Sequence, residues 1–245
     1  MSRKWWLSLA VVVLALAVVS GSAVAADKVI KWKGQGCFGN ASPLGKYTVV
    51  LWKQYAEAMS GGRLQIMLHD AGEIVPATKV YDAVKDGMLD FGMNTPAWQK
   101  GKYPAGDLFY TLPGGLLEMN DLIVWLYGGG GKELAQEMYG DELIVFPLGL
   151  TPPEEIWTKK PVKTLADLKG MKIRTPGGHQ TNYIKALGAE PIFMPLGDVY
   201  MAMETGTIDG ICTCPPLILS FKLYEVAKNA VVMTFGCVSE GVIMN

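Results

Sequence analysis

Residues 167–210, DLKGMKIRTPGGHQTNYIKALGAEPIFMPLGDVYMAMETGTIDG, decide how the rest of the chain is read. Met171 to Arg174 reads as a short strand that delivers an arginine to the turn Pro176-Gly177-Gly178. A helical run follows with Tyr183, Ile184 and Leu187 on one face, and Gly188 supplies the usual C-terminal stop. An arginine at a strand's carboxyl end, just ahead of a helix amino terminus, lies beside fixed backbone N–H groups and a partial positive dipole. Such a place suits an anion, and guanidinium can grip a carboxylate with two parallel hydrogen bonds. Arg174 is therefore the first candidate ligand-binding residue.

Part of this stretch has an echo earlier in the chain. Val80-Tyr81-Asp82-Ala83-Val84-Lys85-Asp86-Gly87-Met88-Leu89-Asp90 can be laid over Val199-Tyr200-Met201-Ala202-Met203-Glu204-Thr205-Gly206-Thr207-Ile208-Asp209. Valine, tyrosine, alanine, glycine and aspartate match at the same offsets, with Leu89 against Ile208. The physical unit is a helix stopped by glycine, then an aspartate-bearing turn into a buried strand. Two copies predict two α/β lobes of similar build. Ligands in such sheets bind outside the carboxyl ends of the strands, so two facing lobes make a cleft.

That placement names further candidates. Asn94 and Trp98 follow the first copy; Cys212 and Thr213 follow the second. The loop from Gln35 to Asn40, with Phe38, leaves the carboxyl end of the first strand and should face the same cleft. Asn94 and Thr213 can hydrogen-bond a polar ligand, while Phe38 and Trp98 can cover an apolar part. His179, first in the helix after the Arg174 turn, can donate to the ligand. Tyr81 and Tyr200 lie on helix faces and are read as packing residues with a hydroxyl at the edge.

Elsewhere the chain follows the same grammar. Val29 to Lys33 alternates as a strand, and Ser42-Pro43 opens a helix with serine as cap and proline in the first turn. Tyr47, Val50, Leu51, Tyr55, Ala58 and Met59 recur at helical spacing and are expected to be its buried face. A strand at Leu64–Leu68, a helix from about Pro76 to Lys85 and a strand at Leu89–Met93 complete a β–α–β–α–β run, which implies a parallel sheet. The run Gly128-Gly129-Gly130-Gly131-Lys132 is no phosphate loop, because Glu133 replaces serine or threonine and Leu126 stands where the first glycine is required. It reads as a turn between helices. Leu143–Phe146 reads as a strand, Thr151-Pro152-Pro153 as a crossover, Thr164–Asp167 as a short helical turn and Val242–Asn245 as a strand returning to the first lobe.

The 245 residues are enough for two lobes with a real core, and a net charge of −1 with dispersed signs points to no nucleic acid partner. Ser2-Arg3-Lys4, the apolar run Trp5–Val19 and Ala23-Val24-Ala25 read as a signal peptide cleaved near Ala25/Ala26, so the expected location is the periplasm. The apolar run, about 15 residues, is short of the roughly 20 that a membrane helix needs. Cys37, Cys212, Cys214 and Cys237 can form one or two disulfides in an oxidising compartment, with the pairing left open. Cys-X-Cys without a nearby histidine is a weak metal signal, and no metal or cofactor is expected.

The run DLKGMKIR, then LGAEPIFMPLGDVYMAMETGTIDG, resembles the signature region of the solute-binding subunits (DctP-like) of TRAP transporters, the tripartite ATP-independent periplasmic transporters. A looser similarity extends over FGNASPLGKY, MSGGRLQIMLHDAGEI and KKPVKTLADLKG. The resemblance implies a two-lobed α/β fold of the type II periplasmic-binding-protein kind, with the ligand cleft between the lobes. It implies that the arginine at Arg174 binds a substrate carboxylate, and that the partners are a small organic acid and the small and large membrane subunits of a TRAP transporter. Lobe I is expected to comprise residues 26–150 with 236–245, and lobe II residues 151–235. Further helices that brace the lobes are implied beyond Asn245.

Two departures bear on the ligand. Many relatives carry a second arginine where this chain reads Pro153-Glu154-Glu155-Ile156, and a Gln-Glu-Asn where it reads Ile211-Cys212-Thr213. Both remove polar contacts, which favours a monocarboxylate or a more apolar acid. The enzyme rival, an exported hydrolase using His179, lacks a Gly-X-Ser-X-Gly elbow, a His-Glu-X-X-His motif and a paired nucleophile. A binding protein for a non-acid solute is the other rival.

Overall fold

The computed structural model describes residues 28–233 and 235–245, so the signal peptide reading lies outside the described residues. The first strand, β1 (Ile30–Gln35), runs into a loop that ends at Ser42. The Ser42 hydroxyl accepts from the Gly45 N–H, and Pro43 takes the first turn, as the sequence predicts. Helical winding then passes through one wide π turn, Lys46–Val50, into α1 (Leu51–Met59).

The expected buried face of this helix is corrected by the structure. Tyr47, Tyr55 and Met59 are 67%, 61% and 87% exposed, whereas Val49 is fully buried and Trp52 and Ala56 pack with it against Phe91 and Met93. The chain carries apolar residues on both sides of the helix, and the π turn moves the phase of the packed face. Periodicity alone could not choose between the two sides.

Next come β2 (Leu64–His69), α2 (Val80–Lys85), β3 (Phe91–Asn94), the short α3 (Gly106–Tyr110), α4 (Met119–Gly128), α5 (Gly131–Tyr139) and β4 (Ile144–Thr151). The four glycines end α4 and start α5, with Gly130 at φ +89°, so the glycine run is a helix–helix turn. After the Pro152-Pro153 crossover the chain enters β5 (Glu155–Thr158), β6 (Lys172–Thr175), α6 (Gly178–Ala186), β7 (Glu190–Phe193), α7 (Val199–Glu204), β8 (Gly210–Thr213), α8 (Pro215–Ser220), β9 (Asn229–Val231) and finally β10 (Val238–Met244).

The described strands make two five-stranded sheets, ordered β2-β1-β3-β10-β4 and β7-β6-β8-β5-β9. Each is mixed, not purely parallel as the strand–helix alternation suggested. In the first, β1 pairs parallel with β2 and β3, while β10 runs antiparallel to β3 and β4. In the second, β6 pairs parallel with β7 and β8, while β5 runs antiparallel to β8 and β9. The reversed strands β10 and β5 are those that arrive by crossing from the other sheet.

The two sheets are built alike. Asp90 and Asp209 each accept from a strand N–H, that of Lys33 at 2.6 Å and of Lys172 at 2.9 Å, and each returns its own N–H to the same lysine's carbonyl. Gly87 and Gly206 stop the preceding helices at φ +72° and +78°, and Leu89 and Ile208 are both fully buried. The sequence echo is thus a structural repeat, with α2–β3 matching α7–β8. Each sheet has its own apolar clusters, around Val84 and Leu89 and around Phe91 in the first, and around Ile173 and Ile208 in the second.

The expected disulfides are not formed: all four cysteines are free and buried. Cys37, Cys212, Cys214 and Cys237 belong to four different apolar clusters, and the thiols of Cys37 and Cys237 donate to Glu240 and to the Leu117 carbonyl. Among the described residues no helix is long and apolar enough to cross a membrane.

Candidate functional site

Side chains alternate along β6, so Ile173 enters a core cluster with Leu168 and Ile184 while Arg174 points to the opposite face. There Arg174 is 5% exposed and lines a cavity of about 680 Å³ between the two sheets' loops. Its Nε donates to the Met194 carbonyl at 2.9 Å and its Nη1 to the Cys212 carbonyl at 3.2 Å. These bonds fix the plane of the guanidinium and leave Nη2 and part of Nη1 for a ligand. Burial pulls the guanidinium downward from its usual range, opposed by Tyr110 and Glu154 nearby, and an arginine stays charged regardless. Among the described residues it has no ion pair with a carboxylate, and it is the one cationic side chain on the cavity wall.

The helix dipole has a different part from the one expected. At the first turn of α6, a Cβ added to Gly178 would lie 2.7 Å from Asp107 Oδ1, so a carboxylate of the chain itself already sits against that helix end.

Four predicted site residues come together on the cavity wall: Arg174, Phe38, Trp98 and Thr213. Trp98 closes it from the first sheet's side, its Nε1 donating across to the Pro176 carbonyl at 3.1 Å. Phe38 packs with Leu217 and Phe221 of the other side. The Thr213 hydroxyl is buried with no partner among the described residues, so it is available to a ligand.

The other four do not line this cavity. Asn94 turns its amide to the Tyr139 hydroxyl at 2.8 Å, and Gln35 is spent on the backbone: its Oε1 accepts from Ile74 and Val75 while its Nε2 donates to the Val75 carbonyl. Cys212 contributes its carbonyl to Arg174, but its thiol is in the core and pushed up by burial. His179 is half-buried on α6 and absent from the wall, so the histidine that the hydrolase reading relied on does not line the cavity.

Sequence reasoning missed two buried glutamates. Glu154, 3% exposed, accepts from Gln180 Nε2 and lies 3.5 Å from the Tyr110 hydroxyl. Glu240, 2% exposed, accepts from the Thr95 hydroxyl at 2.8 Å, with the Cys37 thiol at 3.6 Å from its second oxygen. Both line the cavity. Burial raises both carboxyls; at Glu154 the Gln180 bond and Arg174 oppose it in part, and at Glu240, pushed up to about 8, the bonds from Thr95 and Cys37 do. A signal existed for Glu240: one charge inside the apolar strand VSEGVIM. Glu154 carried less, since a Glu-Glu pair after two prolines reads as an ordinary exposed loop.

A family model for bacterial extracellular solute-binding proteins, family 7, matches residues 37–245. The monocarboxylate 2-oxoacid-binding periplasmic protein of Nostoc sp. is 38% identical over 160 residues, which are 64% of this chain and 43% of that one. A TRAP periplasmic solute-binding protein from Colwellia psychrerythraea, solved with calcium and pyruvate, superposes with a TM-score of 0.81 at 29% identity, over 89% of this chain and 67% of its own. One from Pseudoalteromonas atlantica, solved with sodium and pyruvate, gives 0.79 at 29% identity, over 89% and 66%. The chain thus spans less than half the length of the Nostoc protein and about two thirds of the two solved relatives.

Proposed function

This chain belongs to the family 7 bacterial extracellular solute-binding proteins, and we propose that it is an extracytoplasmic receptor that holds a small monocarboxylic acid for a TRAP transporter. The observation that carries this is Arg174: a buried guanidinium facing a cavity, anchored by two carbonyls, with N–H groups left over and, among the described residues, no carboxylate within ion-pair distance, Glu154 acting on it only through its charge. Burying a charge in that way is costly unless something anionic completes it. A carboxylate does so with two parallel hydrogen bonds, each contributing about 1.5–3 kcal/mol net.

A single cation on a wall that also carries Glu154 and Glu240 favours one carboxylate over two. The pyruvate in the two solved relatives and the binding of monocarboxylate 2-oxoacids by the Nostoc protein support a short 2-oxo monocarboxylate. Phe38 and Trp98 would cover its apolar end, and the free Thr213 hydroxyl would meet an oxygen. The calcium and sodium of those relatives are not carried over. Among the described residues no group of three or more His, Cys, Asp or Glu is placed to hold a metal ion, and each cavity glutamate is already held by donors of the chain.

Capture works by closure. We infer lobes of residues 26–150 with 236–245 and of residues 151–235, each presenting the carboxyl ends of its parallel strands to the cavity. Arg174 and Thr213 hold the acid from one lobe while Phe38 and Trp98 close over it from the other. The closed form is then fully bonded only with ligand present, so ligand shifts the open–closed population. The closed receptor would be read in the periplasm by the small and large membrane subunits. No chemical step is assigned to it.

A thermal-shift screen of the purified protein against organic acids, sugars and amino acids tests this. Pyruvate or a related 2-oxo acid should raise the melting temperature, and Arg174→Ala should abolish the rise. Stabilisation by sugars alone, or an unchanged rise in the variant, would sink it.

A further inference from the structure

The buried ionisable groups of the cavity gather at one end. Glu154 acts through its charge on both Arg174 and Glu240, and Thr213 ends β8, the neighbour of the Arg174 strand. The repeat supplies no second cation. Lys33 and Lys172 are bonded alike to Asp90 and Asp209, so Gln35, two residues on, stands where Arg174 stands, and it is neutral and held by backbone. The remaining charge on the wall, Asp70, is exposed and negative, its Oδ1 accepting from the Asn40 and Ala71 N–H groups. Much of the rest of the wall is apolar and comes from both halves of the molecule. Phe38 meets Leu196, Leu217 and Phe221 in one cluster, yet Phe38, Leu196 and Phe221 are only partly buried in it. Phe193 ends β7 and lines the cavity while 54% exposed. Its ring lies beside Gly177, where an added Cβ would meet it at 3.6 Å, and Trp98 bonds the carbonyl of Pro176, one residue earlier. Two aromatic side chains thus flank the turn that follows the Arg174 strand.

We propose that the cavity holds an apolar subsite beyond the carboxylate, so that 2-oxo acids with an aromatic side chain bind more tightly than pyruvate. This rests on the function proposed above and adds the length and character of the ligand's far end. Pyruvate has a single methyl to set against the wall. A cavity of about 680 Å³ is of the size that encloses drug-sized ligands, roughly 300–1,000 Å³. Apolar wall that a ligand leaves uncovered stays in contact with water, and covering it is favourable in proportion to its area. With the carboxylate on Arg174, a planar ring is met by Trp98 and Phe193 beside the turn and by the Phe38–Phe221 cluster beyond it. Aromatic pairs add to what area alone gives, and a half-exposed phenylalanine on the wall is the side chain with most surface left to cover. A second carboxylate in place of the ring would find Asp70 and no cation, so the same wall disfavours dicarboxylates.

The test is calorimetric titration of the full chain with pyruvate, 2-oxobutyrate and phenylpyruvate. One added methylene should tighten binding about fourfold, and the buried ring about tenfold to a hundredfold over pyruvate. Phe193→Ala, a change at a half-exposed position, should shrink the phenylpyruvate-to-pyruvate affinity ratio several-fold. Pyruvate binding as tightly as phenylpyruvate, or more so, overturns the subsite and leaves the receptor reading intact. So does an affinity ratio that Phe193→Ala leaves unchanged, because the wall described here then does not hold the ring. Failure of the wild type to bind any acid removes both proposals, as does phenylpyruvate binding that Arg174→Ala does not weaken. The ranking of the three acids is measured on the wild type, so it decides the matter even if a variant misfolds.

Discussion

Gln35 and Arg174 occupy the same place in two sheets built to one plan, yet they do opposite things. Gln35 closes on the backbone of Ile74 and Val75, its oxygen accepting twice and its amide donating once. Arg174 makes the same kind of backbone contacts, to Met194 and Cys212, but has donors to spare and a positive charge. An amide carries two N–H bonds and a guanidinium five, so at equal burial only the second can both brace its own loops and face a ligand. One half of the repeat thus spends this side chain on structure, while the other keeps donors in reserve, as the proposed recognition requires.

The sharpest way to break this contrast is Arg174→Gln, which makes the second half like the first. Acid affinity should fall about a hundredfold or more, since two charge-assisted hydrogen bonds go at once; titration with pyruvate reads it, and a loss under threefold would mean that Arg174 is only a brace.

The acid–acid half of the comparison is tested by pH. Burial pushes the Glu240 carboxyl up to about 8 in the native state, against its ordinary value of 4.5. Between those values the unfolded chain binds fewer protons, so this group's contribution makes stability fall as pH rises through the window and level off above it. Denaturant unfolding should show that decline in the wild type and a smaller one in Glu240→Gln. An equal slope in both would place Glu240 ionised.

The aspartates that set up the equivalence should behave as a pair. Asp90→Ala and Asp209→Ala each remove one strand-capping hydrogen bond and should each cost about 1 kcal/mol, measured by urea midpoint. A several-fold disparity would show that the repeat is geometric but not energetic. The smallest effect belongs to Trp98→Phe, which keeps the ring and loses the bond to the Pro176 carbonyl. Pyruvate should dissociate a few-fold faster, at about 1 kcal/mol or less, as read by stopped-flow fluorescence of the remaining tryptophans.

The place of Arg174 was legible because strand, turn and glycine stop are local signals, and so was the duplicated helix–turn–strand, whose glycine and aspartate are demanded by backbone geometry at each copy. Gln35, Asn94 and Cys212 were placed correctly along the chain, at or next to the strand ends that face the cavity. What their side chains do there depends on the Val75 loop, the Tyr139 hydroxyl and the Ile156–Phe235 core, all distant in sequence. The buried side of α1 failed for a related reason: both of its faces are apolar, and only Phe91 and Met93 select one.

By itself, the sequence determined the element order, the two α/β units and the place of Arg174 at a strand end before a turn, because propensity, capping and periodicity act over a few residues; its signature run also carried the family resemblance. Only the tertiary structure decided that Glu154 and Glu240 meet in one cavity and that the cysteines stay apart. It also left Thr213 free while Gln35 was spent. Burial, charge pairing and hydrogen-bond satisfaction depend on what surrounds a group in space, and those neighbours come from strands far apart in the chain.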